Sequence, residues 1–161
     1  MEETKILPAT EEDAVYMQRA LALAREAAAR DEVPVGALIL HRGEVIAEAF
    51  NTREESKCAT HHAEVLAIEE ACRRLGGWRL PDCTLYVTLE PCPMCAGAIV
   101  NARIDRVVYA APDLRAGAFG SVIDLNALPL NHKPCITSGV GEEESKNVLS
   151  SYFRAKRKKK E

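Results

Sequence analysis

Residues 84–95 read Thr84-Leu85-Tyr86-Val87-Thr88-Leu89-Glu90-Pro91-Cys92-Pro93-Met94-Cys95. The first six are β-branched, aromatic or leucine, and predict a strand with Leu85 and Val87 on one side. Pro93 suits the first position of a helix, where a missing N–H costs nothing, so a short helix is predicted over 93–102. The thiols of Cys92 and Cys95 then lie on one side of its first turn. The positive end of that helix favours them as thiolates. A second fragment, His62-Ala63-Glu64, falls at another predicted helix start. From a first turn both of its side chains can reach a point lying off the helix end, although they point apart around the helix.

Working outward, Thr10 can cap a helix over 11–30 that opens on Glu11, Glu12 and Asp13. Residues 31–34 break it at Pro34. Residues 35–41 and 45–50 read as a hairpin about Arg42-Gly43. Residues 51–60 are polar and irregular. The helix beginning near His62 presents Val65, Ile68, Cys72 and Leu75 as an apolar face and stops at Gly76-Gly77. Strands are predicted over 106–110 and 135–138, with loops and short helical turns over 112–134. A last helix spans 142 to about 158, with Val148, Leu149, Tyr152 and Phe153 as its buried stripe. Strands alternating with helices imply one α/β domain over 1–153 whose sheet is covered on both faces, followed by a basic tail over 154–161.

Composition narrows the classes. In 161 residues no apolar run approaches the roughly 18 needed to span a membrane. The acidic start, Met1-Glu2-Glu3-Thr4-Lys5, has no apolar signal region, so a cytoplasmic protein is expected. Six cysteines in a reducing compartment are expected as thiols, with Cys58, Cys72, Cys83 and Cys135 as small, partly buried hydrophobes. The net charge of -3 conceals an asymmetry: residues 154–160 carry six basic side chains, leaving 15 basic and 23 acidic residues over 1–153. That pattern suits either a basic patch for an anionic partner or a solvated terminus.

One imidazole and two thiolates are three ligands for a tetrahedral zinc, with the fourth position open to water. The neighbouring carboxylate of Glu64 is then free to carry protons. Taken alone, Cys-x-x-Cys also fits a redox pair or half of a closed structural site, which Cys58 or His61 could complete. No second Cys-x-x-Cys or His-x-x-x-His is present. A non-ligating Glu beside the His has a use only in an open, catalytic site.

This order, His-x-Glu followed by Pro-Cys-x-x-Cys, is the pattern of zinc-dependent nucleobase deaminases. The chain resembles the bacterial tRNA-specific adenosine deaminases of the cytidine deaminase-like superfamily. The resemblance runs over Val33-Pro34-Val35-Gly36-Ala37, residues 59–64, residues 88–98, Gly117-Ala118-Phe119-Gly120-Ser121 and Asn131-His132-Lys133. It implies a three-layer α/β/α sandwich around a mixed sheet of about five strands. One zinc per subunit would be held by His62, Cys92 and Cys95, with Glu64 as the catalytic proton shuttle. Asn51 would contact the base, and Pro34, Val35 and Ala63 would line its pocket. Asp113 and Arg115 would lie near the RNA, and Tyr152, Phe153, Arg154 and Arg157 would meet the anticodon loop.

The implied reaction is hydrolysis of the wobble adenosine of a tRNA anticodon stem-loop to inosine, by a homodimer with no membrane association. A deaminase of a free base or nucleotide (guanine, cytosine or cytidylate) would share the zinc and Glu64, and a non-catalytic zinc-stabilised binding module would share the zinc alone. Three departures from the family stand out: His61, where a small residue is commoner, the stretch Asn126 to Leu130, which is shorter than in some relatives, and a lysine-rich tail.

Overall fold

The computed structural model describes residues 5–159. The elements in chain order are α1 (Glu11–Ala29), β1 (Gly36–His41), β2 (Glu44–Phe50), α2 (Arg53–Ser56), α3 (Ala63–Leu75), β3 (Cys83–Leu89), α4 (Pro93–Ala102), β4 (Arg106–Ala111), a 3-10 turn (Leu125–Ala127), β5 (Cys135–Ser138) and α5 (Glu142–Lys159). The acidic start of the chain read from Met1 to Thr4, and Lys160 and Glu161 of the tail, lie outside the described residues. Among the described residues no helix is long and apolar enough to cross a membrane.

The sheet runs β2-β1-β3-β4-β5. β1 pairs antiparallel with β2 and with β3, whereas β3–β4 and β4–β5 are parallel. The hairpin closes where Arg42 (φ 49°) and Gly43 (φ 83°) both take the left-handed conformation, which matches the twist of two antiparallel strands. Side chains then alternate between two buried faces. Ala37, Ile39, Leu85, Val87, Val107 and Tyr109 pack on one side with Ala63, Ala67, Ile68 and Ala71 of α3 and Ala96 and Ile99 of α4. On the other side Leu38, Leu40, Tyr86, Val108 and Ala110 meet Met17, Ala20 and Leu21 of α1. α5 lies on that same side, against α1, β3 and β4. A period of two with both faces apolar is what a sheet between helical layers requires. The expected three-layer α/β/α sandwich with a five-stranded mixed sheet is the observed fold.

α3 presents a different face from the one its large apolar residues suggested, and on α5 one member of the expected stripe, Phe153, is exposed. On α3, Val65 and Cys72 are half-buried and Leu75 is exposed, and the packed face is Ala63, Glu64, Ala67, Ile68 and Ala71. Alanines let the helix approach the sheet closely, so bulk is a poor guide to its packed side. On α5 the buried residues are Ser145 and Tyr152, with Val148 and Leu149 half-buried and Phe153 43% exposed. The segment 51–60, expected to be irregular, contains the single-turn α2. α5 runs unbroken through Arg154 and Arg157 to Lys159, so the described part of the basic tail is helix.

A buried polar cluster ties α1 to the sheet. Asp13 accepts the Thr10 N–H at 2.9 Å and completes a capping box. It also accepts from the Tyr86 hydroxyl at 2.7 Å and from both Arg106 guanidinium nitrogens at 2.8 and 2.6 Å. Burial by itself would raise the Asp13 carboxyl, but these donors outweigh it, Arg106 foremost, and hold it down at about 2. Asp13→Asn strands the Arg106 charge in a largely buried place, and is expected to cost about 3–5 kcal/mol in urea unfolding. The folded value lies below the ordinary 3.8. The wild-type pair therefore stabilises fully above about pH 4 and loses its contribution as the pH falls from there toward 2. An unfolding free energy as acid-sensitive in the variant as in the wild type over that window would contradict this.

Candidate active site

Strand direction and register assemble the site. Gly36 of β1 sits opposite Phe50 of β2, and Ala37 opposite Val87 of β3. The residues entering β1 (Pro34, Val35), those leaving β2 (Asn51) and those leaving β3 (Glu90, Pro91, Cys92) therefore meet at one end of the sheet. The Gly36 N–H donates to Thr88 Oγ1 at 3.1 Å and the Asn51 N–H to the Val35 carbonyl at 3.1 Å, which locks these segments together. β4 runs parallel to β3, so Pro112 and Asp113 emerge at the same end. The carboxyl ends of parallel strands are where α/β sheets place their sites.

Two helices begin here, and their N-cap residues are His62 (α3) and Cys92 (α4). Neither side chain caps its own helix, so both are free to turn toward a shared point. The His62 Nδ1 lies 3.6 Å from Cys92 Sγ and 3.5 Å from Cys95 Sγ. The three donor atoms all fall within 4.8 Å of one another. A tetrahedral zinc with ordinary Zn–S and Zn–N bonds sets such N···S separations at about 3.6 Å. The donor set, N plus two S, and its spacing therefore fit zinc. Glu64 is outside this set.

The four groups perturb one another's proton affinities. Cys92 is drawn down to about 4 by the hydrogen bond from Cys95, with further help from His62. Its partner Cys95, completely buried, is raised, first by that same hydrogen bond to Cys92 and then by burial. His62 is raised, chiefly by its contact with Cys92. Glu64 is 4% exposed. Burial pushes its carboxyl up to about 7, against the opposing pull of its own backbone N–H and of His62.

The other residues expected at the site divide into three groups. Pro34, Val35 and Ala63 are buried, Val35 and Ala63 within the core beneath the site. Asn51 is buried as well, and its Oδ1 accepts the Ala63 N–H at 2.8 Å, which places an amide side chain at the start of α3 beside His62. Asp113, Arg115, Phe153, Arg154 and Arg157 line a groove of about 700 Å³, together with Val33 and Leu89. Val33 and Leu89 lead directly into Pro34 and into Glu90-Pro91-Cys92, so the groove opens alongside the site. Tyr152 lines an adjoining pocket that shares Val33, Phe153 and Arg157 with that groove. It is buried, donates its hydroxyl to the Asp31 carbonyl at 3.2 Å and accepts from Lys156 Nζ at 2.9 Å, which anchors α5 to the turn after α1.

Sequence reasoning passed over two buried carboxylates near the site. Glu32 accepts the Glu54 and Glu55 N–H groups at 3.0 and 2.8 Å and holds α2 in place. Glu90 organises the segment after β4. An acid next to Pro-Cys is the only local hint of the second, and nothing local marks the first. Cys58, Cys72, Cys83 and Cys135 are free thiols, half-buried except for the buried Cys83, as expected.

A trio of N, S and S donors at zinc spacing, with a buried carboxylate beside it on an α/β/α sandwich, defines a zinc-dependent deaminase. The sequence pattern of the cytidine and deoxycytidylate deaminase zinc-binding region matches residues 10–111, a span that contains His62, Glu64, Cys92 and Cys95. The chain belongs to this family. Among its relatives is the tRNA-specific adenosine deaminase of Bacillus subtilis (strain 168), 48% identical over 150 residues that cover 92% of this chain and 93% of that one. A solved tRNA:A34 deaminase, studied for A-to-I editing at the wobble position of transfer RNA, superposes with a TM-score of 0.82 at 46% identity, covering 84% of this chain and 99% of that one. The guanine deaminase of Nitrosomonas europaea superposes with a TM-score of 0.76 at 26% identity, covering 94% and 88%.

Proposed function

We propose that the chain hydrolyses the wobble adenosine of a tRNA anticodon stem-loop to inosine and ammonia. The observation that carries this reading is the convergence of His62, Cys92 and Cys95 beside Glu64, next to a groove carrying Arg115, Arg154 and Arg157. The similarity to tRNA deaminases extends over nearly the whole chain, whereas the likeness to guanine deaminase is more distant in sequence.

In this reading His62, Cys92 and Cys95 hold the zinc. When bound, zinc supplies the Lewis acidity that makes water a nucleophile near neutral pH. Glu64 accepts the proton that water gives up as it adds to C6 of adenine. It passes that proton to ring N1 and then carries the proton of the new C6 hydroxyl to the departing amine, so that adenosine and water become inosine and ammonia. Burial keeps Glu64 close to neutrality in proton affinity, which suits a group that must both take and give. Asn51 holds the start of α3 through one Oδ1 lone pair, and its Nδ2 donors are the groups it offers the base. An anticodon loop is a low-cost substrate because its bases are already unpaired. Arg115, Arg154 and Arg157 are placed to neutralise its phosphates, with Phe153 as an exposed face for stacking.

Mass spectrometry of tRNA incubated with the zinc-loaded protein tests this. Inosine is expected at the wobble position alone, at a rate that falls steeply with salt as phosphate contacts are screened. Ammonia release from free guanine or cytidine, with no inosine in tRNA, would select the free-base reading. We further propose a cytoplasmic homodimer. Exposed Met94, Val122, Ile123, Leu128 and Leu130, on α4 and in the segment between β4 and β5, offer apolar surface for a second copy. A solution mass of twice 17.6 kDa is the check.

A further inference from the structure

Glu90 is 2% exposed and sits between β3 and Cys92. Among the described residues no cation pairs with it. Its hydrogen-bond donors all come from the segment after β4. Oε1 accepts the Asp113 N–H at 3.1 Å, and Oε2 accepts the N–H groups of Phe119 and Ser121 at 3.0 and 3.2 Å. The Ser121 hydroxyl also donates to Oε1. Backbone bonds run alongside: the Glu90 N–H to the Ala111 carbonyl at 2.8 Å, and the Ala118 N–H to the Pro91 carbonyl at 2.9 Å. Gly117 is pressed against this carboxylate. A Cβ there would stand 2.4 Å from Glu90 Cδ and Oε2 and 2.6 Å from the Asp113 carbonyl oxygen. The Gly117–Ser121 block, singled out in the sequence and unused by the chemistry, is thus the socket for one side chain.

We propose that Glu90 is a positioning residue that fixes the groove wall carrying Asp113, Leu114 and Arg115 to the turn carrying Cys92. One acid, gripping both the loop and the ligand turn, sets the offset between the groove and the reacting centre. A macromolecular substrate that spans both needs that offset, and a free base held at the reacting centre does not. The proposal rests on the tRNA reading for its kinetic consequence and stands without it for its structural one.

Glu90→Gln keeps the shape but turns an N–H₂ toward the loop donors, and Gly117→Ala attacks the same contact from the other side. Each is expected to retain one zinc per chain and to raise KM for an anticodon stem-loop by about tenfold or more, with kcat changed much less. The double variant should do little more than either alone, because both break one contact. Hydrogen exchange should show lost amide protection at Asp113, Phe119 and Ser121 while β3 and α4 stay protected. A stem-loop KM unchanged in both variants, a loss confined to kcat, or intact protection of those three amides would each overturn the assignment. Should the wild-type chain fail to deaminate the stem-loop, the substrate reading falls, and the amide protection alone decides the role of Glu90.

Discussion

Glu64→Gln is expected to lower kcat by a factor on the order of 10²–10⁴, the range a positioned acid–base group contributes. The zinc content should stay at one per chain, because Glu64 is not among the donor atoms. The variant should not be less stable. Glu64 is a buried carboxylate whose ionised form is disfavoured by its surroundings, so a neutral isostere removes a desolvation cost without opening a cavity. Thermal unfolding, metal analysis and single-turnover kinetics on tRNA together check this. A Glu64→Gln protein with full activity would sink the mechanism. One that lost zinc as well would make Glu64 a ligand.

Cys92→Ser should remove both metal and turnover. A serine hydroxyl does not ionise at neutral pH, whereas Cys92 is held as a thiolate at the start of α4. The loss should also appear in stability. A ligand bound only by the folded state stabilises it by about 4 kcal/mol at a thousandfold excess over Kd. Adding a strong chelator should therefore lower the wild-type melting temperature and leave the variant where it was. A wild-type Tm indifferent to chelation, with activity retained, would mean that the three donors hold nothing the protein needs.

Some of the site could be read directly. Cys92 and Cys95 are i, i+3 across a helix start marked by Pro93, and His62 and Glu64 share the first turn of another. These are local statements, and the helix bounds 93–102 and the strand 135–138 emerged as expected because proline, glycine and period-two patterns act within a few residues. The faces of α3 and α5 were less legible. On α3 the packed side is mostly alanine, which allows the closest approach, and on α5 Tyr152 is buried as expected while Phe153 is exposed. The resemblance assigns Arg115, Arg154 and Arg157 to the RNA, but that they line one groove follows only from the fold, because Arg115 and Arg157 are separated by β5 and most of α5.

What the sequence alone determined is the inventory: the elements, the two helix starts, and the donors N, S and S with a spare carboxylate. What the tertiary structure decided is which of these face one another. The antiparallel β1–β3 register and the parallel β3–β4 pair bring Pro34, Asn51, Cys92 and Asp113 to one end of one sheet. Register is a property of hydrogen bonds between distant segments, and Glu90 shows the consequence. Its partners lie 23 to 31 residues away, so only the folded chain could reveal what that carboxylate holds.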